Sequence, residues 1–221
     1  MIKAVIFDMD GTLLNTLDDI GICANKALEI NNLPRHSLEK YRYYVGEGVY
    51  RLFEQAITED QQTPTVIDGC IETFLQVYDQ GWNVKTDLYP GISDMLDMLE
   101  ARKIRLSVFS NKPEDFVRKC AEYYLSKWRF EYLLGPNNEI PRNPDPNGAL
   151  LIAEKMGIDR SEVLFIGDTK IDVLTAKAAG MKVVGVLWGF RPKEELEAAG
   201  ADIIITRPEE LEQTLTQMSL N

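Results

Sequence analysis

Residues 4–12 of the chain read AVIFDMDGT, a short apolar run that leads directly into two acids. A compact run of branched and aromatic residues is typical of a strand that is covered on both faces of a sheet. The loop that follows such a strand lies at the carboxyl edge of a parallel sheet, where ligands bind. We therefore expect Asp8 and Asp10 to point into one crevice.

Similar short apolar runs recur along the rest of the chain, at 104–109, 163–168, 182–187 and 202–206. Between them, apolar residues follow helical spacing at 92–99, 149–156 and 171–178. Strands that alternate with helices predict an α/β fold with a doubly wound, parallel sheet.

The segment from 16 to 82 breaks this alternation, because it contains no convincing strand. Its apolar residues follow helical spacing, and Thr63 and Pro64 are typical of a helix cap and first turn. The sequence therefore predicts an all-helical cap domain over 16–82, inserted into a discontinuous α/β core of 1–15 and 83–221.

Composition excludes several classes of protein. The 221 residues carry 35 acidic and 24 basic side chains, and this net charge of −11 argues against nucleic-acid binding. No apolar run is long enough for a membrane span or a signal peptide, so we expect a cytoplasmic protein. Three scattered cysteines and a single histidine, His36, exclude a thiolate zinc site and mechanisms that need two histidines. We expect His36 to be a solvated loop residue.

Polar side chains follow three of the predicted strands at the point where each strand ends. Asp8 and Asp10 follow the first, Ser110-Asn111-Lys112 follow the run at 104–109, and Asp168 and Asp172 follow the run at 163–168. Each group alone is also consistent with a turn or a helix cap. Together, four carboxylates without a histidine or thiolate predict an oxygen-ligand site for Mg²⁺.

With these groups at its strand ends, the chain resembles the haloacid-dehalogenase-like superfamily, and within it the phosphoglycolate-phosphatase-like hydrolases. Four motifs carry the resemblance, which extends over essentially the whole chain. They are Phe7-Asp8-Met9-Asp10-Gly11-Thr12-Leu13, Tyr89-Pro90-Gly91, Ser110-Asn111-Lys112-Pro113, and Gly167-Asp168 with Asp172 and Ala176-Lys177-Ala178-Ala179-Gly180-Met181.

The resemblance implies a role for each residue. Asp8 is expected to be the nucleophile of an aspartyl-phosphate mechanism, with Asp10 as general acid and base. Mg²⁺ is expected on Asp8, Asp168 and the Asp10 carbonyl, with Asp172 orienting metal-bound water. Thr12 is expected to hydrogen-bond Asp10. Ser110 and the Asn111 amide are expected to bind the phosphoryl oxygens.

The second acid, Asp10, favours phosphatases over the dehalogenases of this superfamily, because an alkoxide leaving group needs a proton and a halide does not. The resemblance thus implies a Mg²⁺-dependent phosphatase for a small anionic metabolite, phosphoglycolate-like or a sugar phosphate. A phosphomutase or a pyrophosphatase remains an alternative. A receiver-type signalling domain places similar groups at strand ends but has no inserted cap.

The third family motif carries a lysine, and Asn143 stands at that position in Pro141-Arg142-Asn143-Pro144. Asn supplies hydrogen-bond donors without charge. Arg142 and Lys112 are the candidate replacements, although a residue adjacent to Asn143 in an extended segment normally faces the other way. Asn143 also keeps open a second reading, a low-activity protein that binds a phosphorylated ligand or a partner.

Two further segments are candidate ligand contacts. In the helical segment, Tyr43-Tyr44-Val45-Gly46-Glu47-Gly48 resembles the family's substrate-specificity loop, with Arg42 and Arg51 beside it. Trp188-Gly189-Phe190-Arg191 follows the run at 182–187 and is a candidate for lining the crevice. Solvated arginines and a packed hydrophobic turn are the alternative readings.

Overall fold

The computed structural model describes residues 1–220, and the side chains of 1–218. It divides the chain into two compact units. One contains Met1–Leu14 together with the chain from Leu88 onward, and the other contains Asn15–Asp87.

The first unit is built on a six-stranded parallel sheet with the strand order β5-β4-β1-β6-β7-β8. Its strands are β1 Ala4–Phe7, β4 Arg105–Phe109, β5 Phe130–Leu134, β6 Val163–Gly167, β7 Lys182–Val186 and β8 Ile203–Ile205. The short strands β2 Leu14–Asn15 and β3 Asp87–Leu88 form a separate pair. Every residue of β1 is fully buried, as its apolar sequence predicts. The predicted α/β fold with a parallel sheet is confirmed.

Helices connect the parallel strands of this unit, and one more helix follows the last strand. They are α5 Ile92–Ala101, α6 Glu114–Tyr124, α7 Asn147–Met156, α8 Lys170–Ala179, α9 Lys193–Ala199 and α10 Glu210–Leu220. The predicted helical runs coincide with α5, α7 and α8. Because β4 and β6 pair with opposite edges of β1, the strand order reverses at β1, and such a switch point is where open α/β sheets bind ligands.

The second unit is helical and contains α1 Leu17–Ile30, α2 Leu38–Tyr44, α3 Val49–Ala56 and α4 Pro64–Gly81. The hydroxyl of Thr63 accepts a hydrogen bond from Val66 N at 3.3 Å, so the predicted cap of α4 is present. Within 16–82 the described residues form no strand, in agreement with the predicted all-helical insertion.

Two side chains organise the interior of the helical unit. The buried carboxylate of Asp19 accepts hydrogen bonds from three successive backbone amides, at 84, 85 and 86, and from the Thr86 hydroxyl. His36 lies in a loop, as expected, but it is half-buried instead of solvated, because its ring hydrogen-bonds Ala56 O at 2.7 Å and packs edge-on against Tyr44. Among the residues described, no helix is both long and apolar enough to cross a membrane.

Candidate active site

Three carboxylates predicted to surround a metal converge at the carboxyl edge of the sheet. Asp8 follows β1, Asp168 follows the neighbouring β6, and Asp172 lies in the first turn of α8. One oxygen atom from each of the three lies within 4.8 Å of the other two, and all three side chains are buried. The parallel pairing of β1 with β6 explains why residues that are 160 positions apart in the chain meet here.

Asp168 is held by hydrogen bonds from two loops. The Thr12 hydroxyl donates to Oδ1 at 3.1 Å, and Phe190 N donates to Oδ2 at 2.7 Å. This corrects the expected role of Thr12, because its single hydroxyl proton is directed to Asp168 and not to Asp10. Trp188 Nε1 donates to Thr12 O at 2.9 Å, so the predicted Trp188–Arg191 segment does lie against the site and supports Asp168 through Thr12.

Glycines give the backbone close access to these acids. A Cβ atom on Gly189 would lie 2.3 Å from Asp168 Cβ and 2.4 Å from Gly11 O. A Cβ atom on Gly167 would lie 2.3 Å from the Cβ and Cγ atoms of Asp172. Because real Cβ contacts do not become this short, any side chain at these two positions would displace an acid.

Asp172 also helps to cap the N-terminus of α8. Its Oδ2 accepts hydrogen bonds from the backbone N of Thr169 at 3.0 Å and from the Thr169 hydroxyl at 2.9 Å. The Thr169 hydroxyl in turn accepts from Ile171 N, so Thr169 and Asp172 form a capping box. Thr169, not Asp168, therefore caps this helix, and the simple cap reading of Asp168 does not apply.

The three acids are held in an environment that disfavours their charges. Burial, followed by repulsion from Asp172, raises the pKa of Asp168 to about 7 and raises the pKa of Asp8 well above its ordinary value. Burial raises the pKa of Asp172 to about 6. A divalent cation among them would remove this penalty, and the oxygen-only donor set fits Mg²⁺.

Ser110, Asn111 and Lys112 follow β4, on the other side of β1. The Ser110 side chain hydrogen-bonds Asp8 and thereby lowers its pKa, against the larger effect of burial. Lys112 Nζ contacts Asp10 at 2.9 Å from Oδ1 and 3.2 Å from Oδ2. The Asp10 carboxylate is thus bound to an ammonium group instead of joining the three clustered acids.

The segment with the predicted third motif lies beside Asn111. Asn143 N donates to Asn111 Oδ1 at 2.8 Å, and Asn111 Nδ2 donates to Asn143 O at 3.1 Å. Asn143 is buried, and its Oδ1 has no hydrogen-bond partner among the described atoms. The adjacent Arg142 is exposed, so the structure does not bring it together with the buried acids.

The two candidate arginines of the helical unit form ion pairs within that unit. Arg42 Nε lies 3.6 Å from Glu39, and Arg51 pairs with Glu47 and Glu54. Both guanidinium groups therefore have local carboxylate neighbours on their own helices.

Sequence reasoning did not single out Arg191 as a charged neighbour of the acids. Its buried side chain lies 3.3 Å from Glu195, and its positive charge lowers the pKa of both Asp168 and Asp172. Glu195 also accepts a hydrogen bond from the first backbone N of α8, at Lys170. Its position in the sequence could have indicated this role, because Arg191 lies in the loop after β7, at the same edge of the sheet as the acids.

The chain is similar to known proteins over most of its length. The family model described as haloacid dehalogenase-like hydrolase matches residues 5–186. The phosphoglycolate phosphatase of Pseudomonas putida is 28% identical over 92% of this chain and 76% of that protein. The phosphoglycolate phosphatase of Vibrio parahaemolyticus is 29% identical over 95% of this chain and 94% of that protein. A crystal structure from Lactobacillus delbrueckii subsp. bulgaricus superposes with a TM-score of 0.90 at 31% identity, covering 96% of this chain and 97% of that one.

Proposed function

Because this chain belongs to the haloacid dehalogenase-like hydrolases, we propose that it hydrolyses a small phosphomonoester through an aspartyl-phosphate on Asp8. One observation carries the proposal: three buried carboxylates meet where the strand order reverses, and the neighbouring Asp10 forms an ion pair with Lys112. In this proposal 1–15 and 83–221 form the catalytic domain, 16–82 form the cap, and the protein acts in the cytoplasm.

The first step assigns the nucleophile to Asp8. An Asp8 oxygen bonds to phosphorus while the bond from phosphorus to the ester oxygen breaks. The Ser110 hydroxyl hydrogen-bonds Asp8 before the reaction. Once Asp8 carries the phosphoryl group, we assign this hydroxyl and the Asn111 amide to the phosphoryl oxygens. We assign to the Asp10 carboxyl group the proton that the leaving alkoxide takes, which makes Asp10 the general acid; in this protonated form Asp10 accepts a hydrogen bond from Lys112 Nζ in place of the ion pair.

The second step returns the enzyme to its starting state. A water molecule attacks phosphorus, the bond between Asp8 and phosphorus breaks, and the water proton passes to the Asp10 carboxylate. Inorganic phosphate leaves, Asp8 is again a carboxylate, and Asp10 carries a proton from water in place of the one that left with the alcohol.

We assign Mg²⁺ to Asp8, Asp168 and the Asp10 carbonyl, with Asp172 one contact further out. When bound, Mg²⁺ supplies positive charge that offsets repulsion between the Asp8 carboxylate and the phosphoryl group. The hydrogen bonds from Thr12 and Phe190 to Asp168 support this assignment, because they fix both oxygens of that ligand.

The substrate class proposed is a small phosphomonoester, phosphoglycolate-like or a sugar phosphate. The names of the Pseudomonas and Vibrio relatives support phosphoglycolate as the first compound to test. The experiment is a screen of purified protein with Mg²⁺ against phosphoglycolate, sugar phosphates, nucleotides and pyrophosphate. We expect phosphate release from one class of phosphomonoester, and release from none of them would refute the proposal.

A second candidate function is a protein that binds a phosphorylated ligand with little turnover. It is favoured by one observation, the buried neutral side chain of Asn143 at the position of the family's third-motif lysine. The same screen, followed by calorimetric titration with each compound, separates the two functions. Binding without phosphate release would favour this second candidate.

A further inference from the structure

The ion pair between Lys112 and Asp10 is nearly closed to solvent. The Lys112 side chain is 2% exposed and the Asp10 side chain 11% exposed. A surface ion pair contributes little to a structure, but a buried one restricts both partners because neither charge is tolerated there alone. The pair therefore defines where the Asp10 carboxylate lies.

Lys112 is also connected to the nucleophile through its backbone. Lys112 N donates to Ser110 Oγ at 3.3 Å, and the Ser110 side chain hydrogen-bonds Asp8. One residue thus links the two reactive acids, Asp10 through its ammonium group and Asp8 through its backbone amide and Ser110. A shift of Lys112 would therefore change the distance between the proton donor, Asp10, and the nucleophile, Asp8.

The ammonium group of Lys112 is directed to Asp10. Nζ contacts both oxygens of Asp10, at 2.9 and 3.2 Å. The side-chain amide of Asn111 hydrogen-bonds the backbone N and O of Asn143. The third-motif segment is thus held by neutral hydrogen bonds at this point.

We propose that Lys112 is a positioning residue that acts through Asp10, and that it does not replace the third-motif lysine at the phosphoryl group. The inference rests on the proposed function, in which Asp10 protonates the leaving group. It requires that loss of Lys112 slows the first step more strongly for a leaving group that must be protonated than for one that need not be.

The kinetic test compares two substrates in the Lys112→Met protein with Mg²⁺. Phosphoglycolate leaves an alkoxide that must be protonated, whereas p-nitrophenyl phosphate leaves a stable phenolate. We expect the rate of the first step, measured as release of the alcohol in a single turnover, to fall about 100-fold for phosphoglycolate and less than about threefold for p-nitrophenyl phosphate. An equal loss on both esters, or no loss on either, would overturn the inference. The matched control is Lys119→Met, an exposed lysine of α6.

A double-mutant cycle gives a second kinetic readout. Lys112→Met introduced into the Asp10→Asn protein should cause no further loss on phosphoglycolate, because the group on which Lys112 acts has been removed. Lys112→Arg, which keeps the charge, should recover most of the lost rate. A further loss in the Asp10→Asn background would assign Lys112 to the phosphoryl group and overturn the inference. The double variant leaves no buried charge unpaired, so it remains informative if Lys112→Met alone fails to fold.

A third readout does not require turnover. The ¹⁵N-ammonium resonance of Lys112, assigned by its loss in Lys112→Met, should be protected from exchange and should lose that protection in Asp10→Asn. Addition of Mg²⁺ and inorganic phosphate should leave its shift unchanged, and a shift on phosphate addition would overturn the inference. If the wild type hydrolysed neither ester while the resonance behaved as expected, the phosphatase proposal would fail and the pairing of Lys112 with Asp10 would stand.

Discussion

Replacing Asp168 by Asn should stabilise the metal-free protein at alkaline pH. The pKa of Asp168 rises from its ordinary 3.8 to about 7 in the folded protein, mainly because the carboxyl group is buried. The folded protein therefore binds a proton more tightly than the unfolded chain does. The free energy of unfolding must then fall as the pH rises from about 4 through about 7.

The magnitude follows from the same shift. A change of about three pKa units corresponds to about 4 kcal/mol at pH 8, where the carboxylate is charged. Asn cannot accept both hydrogen bonds that Asp168 accepts, from Thr12 and Phe190, and losing one costs about 1–2 kcal/mol. The net gain expected for Asp168→Asn at pH 8 is about 2–3 kcal/mol, and near pH 4, where the charge penalty is absent, the variant should be less stable than the wild type by about 1–2 kcal/mol.

The assay is urea denaturation in EDTA between pH 4 and pH 8, with Asp60→Asn as the control at an exposed acid. In EDTA the wild type should be more stable at pH 5 than at pH 8, and adding Mg²⁺ should reverse the loss in the wild type more than in Asp168→Asn. The reasoning would be refuted by a wild-type stability that is constant across this range, or by an Asp168→Asn protein that is less stable than the wild type at pH 8.

Three further predictions concern activity and the helical unit. Asp8→Asn should abolish phosphate release while leaving the circular dichroism spectrum unchanged, because the amide has the size of the nucleophile but not its reactivity; measurable turnover would reject Asp8. Asn143→Lys should raise kcat about tenfold, well below the roughly 10³ that a cation in a prepared phosphoryl-transfer site can contribute, and an unchanged kcat would mean that the side chain faces away from the phosphoryl group. Asp19→Ala should lower the free energy of unfolding by about 2–4 kcal/mol, because three backbone amides lose their acceptor; a thermal melt beside Asp18→Ala, whose side chain is 47% exposed and pairs with Lys85, checks this, and equal effects of the two would contradict it.

Most of the fold could be predicted from the sequence because the central strands are buried and mostly apolar. The exception is β5, Phe130–Leu134, in which every residue is only partly buried. It is one of the two edge strands of the sheet, and its sequence mixes Glu and Tyr with apolar residues and lacks the compact pattern of β1.

The acids of the site could also be predicted, since each of them follows a strand or lies in the turn after it. Their partners could not, because those contacts join distant parts of the chain. The motif predicts a hydrogen bond from Thr12 to its sequence neighbour Asp10, but the Thr12 hydroxyl donates to Asp168, 156 residues away. The pair of Lys112 with Asp10 spans 102 residues in the same way. A motif predicts which side chains reach one edge of the sheet, and packing decides which of them touch.

The central position of β1 has a consequence for synthesis on the ribosome. Ala4 pairs with Arg105 on one side and with Val163 on the other, so the strand is made long before either neighbour exists. At about 5–20 residues per second, this apolar segment waits for roughly 5–30 seconds while translation continues. The helical unit, Asn15–Asp87, is completed during that interval and can fold first. Nascent chains should therefore depend on chaperones that cover β1, and slow codons between β1 and β4 should lengthen that dependence.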